Sequence, residues 1–126
     1  METDDAKGIL IVDDELCIVH ALAFLFEEAG YRVFRASSAG EAEEILDREC
    51  PGLIFLDVNM PEKDGFALCR DIRRRPELKD VHIIMLSAMG QEIDTKRGLE
   101  AGANEYITKP FEPSLLRKKA REILGY

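Results

Sequence analysis

Nowhere in the 126 residues does an apolar run approach the roughly 20 that a membrane-spanning helix needs, so no membrane role is expected. The opening segment, Met1-Glu2-Thr3-Asp4-Asp5, lacks both the basic stretch and the apolar stretch of a secretory leader, which predicts a cytoplasmic product. Cysteine is scarce: Cys17, Cys50 and Cys69 are odd in number and show no C-x-x-C spacing, against a disulfide framework or a zinc site. Small buried hydrophobes are the expectation for all three. The two histidines, His20 and His82, have no H-x-x-x-H partner and are expected to be structural. Positive charge is short as well: 17 lysines and arginines face 25 acids, and a net charge of -8 repels phosphate backbones. The basic clusters Arg73-Arg74-Arg75 and Arg117-Lys118-Lys119 fall in the last turns of expected helices, where cations suit the dipole, and neither is interleaved with aromatics. They read as solvated helix ends, and direct nucleic-acid binding by this segment is not expected.

What is present is a repeated pattern, in which short apolar runs end in an acid, a hydroxyl or a lysine. Ile9-Leu10-Ile11-Val12 ends in Asp13-Asp14, Leu53-Ile54-Phe55-Leu56 in Asp57, Ile83-Ile84-Met85-Leu86 in Ser87, and Tyr106-Ile107-Thr108 in Lys109-Pro110. Near-continuous apolar runs of this length suit parallel strands covered on both faces, and open α/β sheets place their ligand sites at strand carboxyl ends. The length and the 46% apolar fraction fit one soluble domain, residues 1–126 with a core of about 7–124. Strands are predicted near 8–13, 32–36, 52–57, 82–87 and 105–108, and helices near 15–29, 39–49, 65–75, 91–101 and 112–124. The first helix shows a stripe of Ile18, Leu22, Leu25, Phe26 and Ala29 before Gly30. Ser38 and Glu41 make a capping box for the second, whose buried side is Ala42, Ile45 and Leu46; Phe66, Leu68, Cys69 and Ile72 mark the third, which breaks before Pro76. The fourth has only Ile93 and Leu99 as large apolar residues and is interrupted by Gly98, so it is expected to be the loosest element.

Strands alternating with helices imply right-handed crossovers and a doubly wound parallel sheet with helices on both faces. The common order for five strands, 2-1-3-4-5, sets strands one and three side by side at the switch point. Asp13, Asp14 and Asp57 then converge closely enough to share one cation. Two unit charges about 4 Å apart repel by about 4 kcal/mol at an effective dielectric near 20, so the cluster needs compensation. Hard oxygen ligands fit Mg²⁺, with Mn²⁺ as a substitute. Lys109 precedes Pro110, where a cis bond would aim the ammonium back across the site to grip a phosphoryl oxygen, and Ser87 offers another donor. Asp57, central and alone at its strand end, is the candidate nucleophile for an aspartyl phosphate, while Asp13 and Asp14 are better placed for metal. No histidine is placed as a general base, so electrostatic positioning carries the reaction.

Together, Val12-Asp13-Asp14-Glu15, Leu56-Asp57-Val58-Asn59-Met60-Pro61 with Asp64-Gly65, Leu86-Ser87-Ala88 and Tyr106-Ile107-Thr108-Lys109-Pro110-Phe111 resemble the receiver domain of two-component response regulators, from about Lys7 to Leu124. The resemblance implies a flavodoxin-like fold and Mg²⁺-dependent phosphorylation of Asp57 by a histidine kinase or phosphotransfer protein. It implies that Asp14 ligates the metal directly, Asp13 mainly through water, and Asn59 through its main-chain carbonyl. Ser87 and Lys109 are implied to grip the phosphoryl group, and Ser87 and Tyr106 to switch, reshaping the helix 4, strand 5 and helix 5 face toward a downstream protein or an output domain. Asn59 and Met89 are implied to flank the route of the hydrolytic water. Asn104-Glu105, Leu115 and Lys119 depart from the pattern that the winged-helix regulators use in their receiver dimer, and His82 stands where many receivers have proline. That particular dimer is not expected, although a phosphorylation-dependent homodimer of another kind stays open.

Two other functions fit parts of the pattern. A phosphatase of the haloacid-dehalogenase type shares the aspartate, lysine and Mg²⁺ logic but carries its nucleophile in a D-x-D pair after the first strand, with a cap insertion. A constitutive adaptor would not require every site residue. The expectation is therefore a signalling switch that is not an enzyme beyond catalysing its own phosphorylation and dephosphorylation.

Overall fold

The computed structural model describes residues 8–88 and 90–125. The chain alternates β1 (Gly8–Val12), α1 (Leu16–Glu28), β2 (Arg32–Ala36), α2 (Ala39–Leu46), β3 (Leu53–Asp57), α3 (Gly65–Arg73), β4 (His82–Ser87), α4 (Glu92–Ala101), β5 (Glu105–Thr108) and α5 (Pro113–Leu124), with a short 3₁₀ turn at Pro76–Leu78. All the pairings are parallel and the order is β2-β1-β3-β4-β5, the doubly wound flavodoxin-like arrangement expected from the strand-helix alternation.

Period-two alternation divides each central strand between two cores. Ile9 and Ile11 of β1, Leu53 and Phe55 of β3, and Ile84 and Leu86 of β4 face α1 and α5, meeting Val19, Leu22, Ala23, Phe26, Leu116 and Ala120. Leu10, Val12, Ile54, Leu56, Ile83 and Met85 point the other way, onto α2, α3 and the end of α4. Phe26 stacks on Phe55 at 5.3 Å between centroids, which pins α1 over β3. Central strands buried on both faces explain why those runs are apolar without interruption. The edge strand β2 instead exposes Arg32 and Arg35, which blunt an open edge.

Several local expectations need correction. The α1 stripe is centred on Val19, Leu22, Ala23 and Phe26, with Ile18, Leu25 and Ala29 only half-buried along its margins. Helix α2 stops at Leu46 rather than 49, ahead of Cys50-Pro51, because the residue before a proline is pushed out of helical conformation. Helix α3 stops at Arg73 for the same reason, with Arg75 extended (ψ 119°) before Pro76. Only half of the capping box at α2 forms: Ser38 Oγ accepts from the Glu41 N–H at 3.1 Å, but the Glu41 carboxylate accepts from the N–H and hydroxyl of Ser37 instead. Cys69 is buried as expected, whereas Cys17 and Cys50 are exposed, because each falls on the solvent side of its segment. Gly98 is a packing residue in α4 rather than an interruption, since a Cβ there would lie 2.9 Å from the Tyr106 ring. Ile93 and Leu99 face solvent, leaving Gly98 and Ala101 as the buried residues of α4.

Arg73 is not a solvated helix end. Its Nε donates to Gly102 O at 2.7 Å, Nη1 to Val81 O at 2.6 Å, and Nη2 to Asn104 Oδ1 at 2.7 Å. Asn104 Oδ1 also accepts from the Ile83 N–H at 2.8 Å, so one guanidinium ties the end of α3 to the turn that follows α4 and to the start of β4. His82 is structural, its Nε2 lying 2.9 Å from Glu105 Oε2 while Lys119 holds Glu105 Oε1 at 2.7 Å.

Candidate functional site

Strand register builds the site. Val12 of β1 lies opposite Leu56 of β3, so the residues that follow, Asp13 and Asp57, leave two adjacent strands at one level. Asp57 is opposite Leu86, and Ser87 opposite Thr108, which delivers Ser87 and Lys109 to the same edge. The Lys109 N–H donates to Ser87 O at 2.7 Å, and the Lys109–Pro110 bond is cis. The sheet thus gathers side chains from β1, β3, β4 and β5 at its carboxyl ends, where such sheets bind ligands.

The loop after β3 is held tightly. Asp64 caps α3 by accepting the Ala67 N–H at 2.9 Å, and the Gly65 N–H donates to Val58 O at 2.8 Å. A Cβ on Gly65 would stand 2.2 Å from the Asp57 carbonyl oxygen, so only glycine lets α3 start this close to the end of β3. Glu62 takes a left-handed conformation (φ 71°), and Lys63 bridges Glu43 of α2 at 2.7 Å and Asp71 of α3, fixing the loop from both sides.

Asp13, Asp14 and Asp57 each offer a carboxylate oxygen, and these lie within 4.8 Å of one another. Asp13 and Asp57 are 1% and 4% exposed, whereas Asp14 is exposed. Lys109 Nζ lies 2.9 Å from Asp13 Oδ2, 3.1 Å from Glu15 Oε1 and 3.4 Å from Asp57 Oδ1. One ammonium therefore serves three carboxylates. Burial and then the Asp13 charge push the Asp57 carboxyl up to about 6, against which the Lys109 charge and hydrogen bond act only in part. Burial alone would lower Lys109, but its hydrogen bonds to Asp13 and Glu15 outweigh that and leave it firmly protonated.

This donor set fits a hard divalent cation. Every donor is a carboxylate oxygen, the Asp14 carboxylate takes no hydrogen bond among the described residues, and the Asp57 carboxyl, raised first by burial and then by the Asp13 charge, would be favoured in its ionised form by a cation. Asn59 is exposed just past Asp57, and Met89 lies outside the described residues. Ser87 is fully buried and shares a hydrogen bond with Tyr106, whose hydroxyl burial pushes up from the usual phenol range. The Tyr106 ring in turn meets Gly98, so one chain of contacts runs from the site to α4.

Glu15 is the site residue to which the sequence assigned no role. Its only signal was its place directly after Asp14; what brings it in is the turn from β1 to α1, where its own N–H donates to Asp13 Oδ1 at 2.9 Å. Glu15 and Lys109 also line a cavity of about 480 Å³ with Ile18, Ala88, Pro110 and Phe111.

Comparison with known proteins bears on the fold and the family. Residues 9–121 match the family model described as the response regulator receiver domain. The chain is 43% identical over 124 residues to the probable transcriptional regulator ycf27 of Porphyra purpurea, covering 98% of this chain and 49% of that protein. It is 41% identical over 117 residues to the aerobic respiration control protein ArcA of Escherichia coli, covering 93% of this chain and 48% of that one. The chain thus spans about half the length of the curated relatives it matches. Among solved structures, the chemotaxis response regulator CheY4 of Vibrio cholerae superposes with a TM-score of 0.87 at 30% identity, over 93% of this chain and 98% of that one. The signal receiver domain of a signal transduction histidine kinase from Syntrophus aciditrophicus gives 0.85 at 37% identity, over 93% and 89% of the two chains.

Proposed function

Because the chain belongs to the response regulator receiver domain family, we propose that Asp57 is the phosphoacceptor of its signalling switch. The single observation that carries this is the position of Asp57: 4% exposed at the end of the central strand, within 4.8 Å of two further carboxylates and 3.4 Å from the Lys109 ammonium.

In this reading the phosphodonor is a histidine kinase or phosphotransfer protein. An Asp57 carboxylate oxygen attacks the phosphorus of a phosphohistidine; the P–O bond forms as the P–N bond breaks, and the electron pair leaves with the imidazole, which carries a proton. Mg²⁺, or Mn²⁺ in its place, held by Asp14, Asp13, Asp57 and the Asn59 carbonyl, would offset the charge of the phosphoryl oxygens. Lys109 supplies a fixed positive charge beside the nucleophile and stays protonated while it does so. Ser87 turns its hydroxyl to the phosphoryl group, and Tyr106, its hydrogen-bond partner, follows and alters the face formed by α4, β5 and α5. That face addresses a downstream protein or an output domain. The chain is a signalling protein, and the only chemistry proposed for it is its own phosphorylation and dephosphorylation. We take residues 1–126 as one receiver domain with its core at about 7–124. Among the described residues no helix is long and apolar enough to cross a membrane.

Incubation with Mg²⁺ and a small phosphodonor should add one phosphoryl group to the chain by mass spectrometry, and beryllofluoride should shift the signals of Ser87, Tyr106 and α4 by NMR. Asp57→Asn should abolish both responses. A phosphoryl group that persists in Asp57→Asn, or no addition to either protein, would overturn the proposal.

A further inference from the structure

We propose that Glu15 is a specificity-determining residue of this site: its carboxylate, tied beside Asp57 by the Lys109 ammonium, selects phosphodonors whose leaving group carries a protonated nitrogen over donors whose leaving group is an anion. The inference rests on the assignment of Asp57 as phosphoacceptor and concerns what the site accepts rather than whether it reacts.

Three observations carry it. Glu15 Oε1 is 3.1 Å from Lys109 Nζ, which is itself 3.4 Å from Asp57 Oδ1, so the Glu15 charge stands one ammonium away from the reacting oxygen. Lys109 is shared among Asp13, Glu15 and Asp57, and the ammonium together with a bound divalent cation would still not balance the four carboxylates Asp13, Asp14, Glu15 and Asp57; negative charge is left over on this side. Unlike Asp13 and Asp57, Glu15 is 61% exposed along its side chain and lines the 480 Å³ cavity at Lys109, so its field reaches a molecule arriving from solvent. The rest of that lining, Ile18, Ala88, Pro110 and Phe111, is apolar and suits a flat leaving group with one charged edge.

Two small donors separate the effect. With phosphoramidate, the P–N bond breaks as the Asp57 oxygen bonds to phosphorus, and the protonated nitrogen departs as ammonia. With acetyl phosphate, the P–O bond breaks and acetate departs with the negative charge. Glu15 attracts the cationic nitrogen of the first donor as it arrives and repels the negative charge that develops on the second leaving group. A unit charge roughly 6 Å away, partly screened by water, changes the ratio of the two rates by a factor of about three to ten.

Rates of Asp57 phosphorylation from each donor, measured on the 126-residue chain and on Glu15→Gln at equal Mg²⁺ and low salt, test this. Glutamine keeps the length and an acceptor oxygen for Lys109 but removes the charge. The ratio of phosphoramidate rate to acetyl phosphate rate should fall by about three- to tenfold in Glu15→Gln. A purely structural role would move both rates by one factor, and an unchanged or increased ratio overturns the inference while leaving Asp57 as acceptor. Failure of both donors to phosphorylate the unaltered chain at Asp57 overturns the phosphoacceptor assignment and this inference with it.

Discussion

Asp57 is costly to the fold that holds it. Its carboxyl is pushed to about 6 from an ordinary value of 3.8, mainly by burial and by the neighbouring Asp13 charge. A group whose pKa is higher in the folded than in the unfolded chain binds protons more tightly when folded, so its ionisation opposes folding. The penalty is absent at low pH, builds between about pH 4 and pH 6, and is fully present above. Asp57→Asn should therefore stabilise the metal-free protein at pH 7.5 by about 1 to 3 kcal/mol in urea denaturation, and by little at pH 4. Lys109 does not reverse the sign, since it keeps Asp13 and Glu15 as partners after the substitution. Equal stability of the two proteins at pH 7.5 would mean that Asp57 is better solvated than its burial suggests. The place of this residue at the buried end of the central strand was legible in sequence because it ends an apolar run alone. The involvement of Glu15 was not, because nothing in local pattern distinguishes a carboxylate that turns to a lysine 94 positions away from one that faces water.

At the level of elements, two residues decide how α3 and α4 sit. Gly65 begins α3 against the end of β3, and the contact its missing Cβ would make, 2.2 Å to the Asp57 carbonyl oxygen, is with backbone that has nowhere to go. Gly65→Ala should cost about 3 kcal/mol and displace the loop that follows Asp57, and, with Asp57 as the proposed acceptor, should reduce phosphorylation along with stability. Arg73 closes the other end of α3. Arg73→Ala would take the guanidinium from the carbonyls of Gly102 and Val81 and leave Asn104 Oδ1 with the Ile83 N–H alone, at about 2 to 4 kcal/mol by chemical denaturation. Arg73→Lys should recover only a small part of this, because an ammonium cannot reproduce a planar fork aimed at three acceptors. Full recovery by lysine would show that charge rather than geometry matters there. The roles of Arg73 and Gly98 were not visible beforehand: Arg73 looked like a helix-end cation, and Gly98 of α4 like a weak point. In both cases a tertiary neighbour, the turn at Gly102 or the ring of Tyr106, decides what the residue does.

Across the whole molecule, the fold was legible because its signals are redundant: continuous apolar runs for the central strands, polar residues at their carboxyl ends, and helical stripes between them. The exposure of Cys17 and Cys50 was not, since the general preference of cysteine for burial does not say which side of its segment a given cysteine falls on. The same sheet order that makes β1 and β3 neighbours brings three carboxylates together in a chain that already carries a net charge of -8. A divalent cation that binds only where strands have assembled these groups must favour the folded state, by about 2.7 kcal/mol at a hundredfold excess over its dissociation constant. Mg²⁺ should accordingly raise the urea midpoint at pH 7.5, and NaCl at matched ionic strength should not reproduce the gain. Asp14→Asn, which removes the most accessible carboxylate of the group, should abolish most of it, and lowering the pH through about 6 should weaken it in the unaltered protein as Asp57 takes up a proton. If sodium matches magnesium at every pH, the carboxylates are answering general screening, and the proximity that the sheet creates does not amount to a metal site.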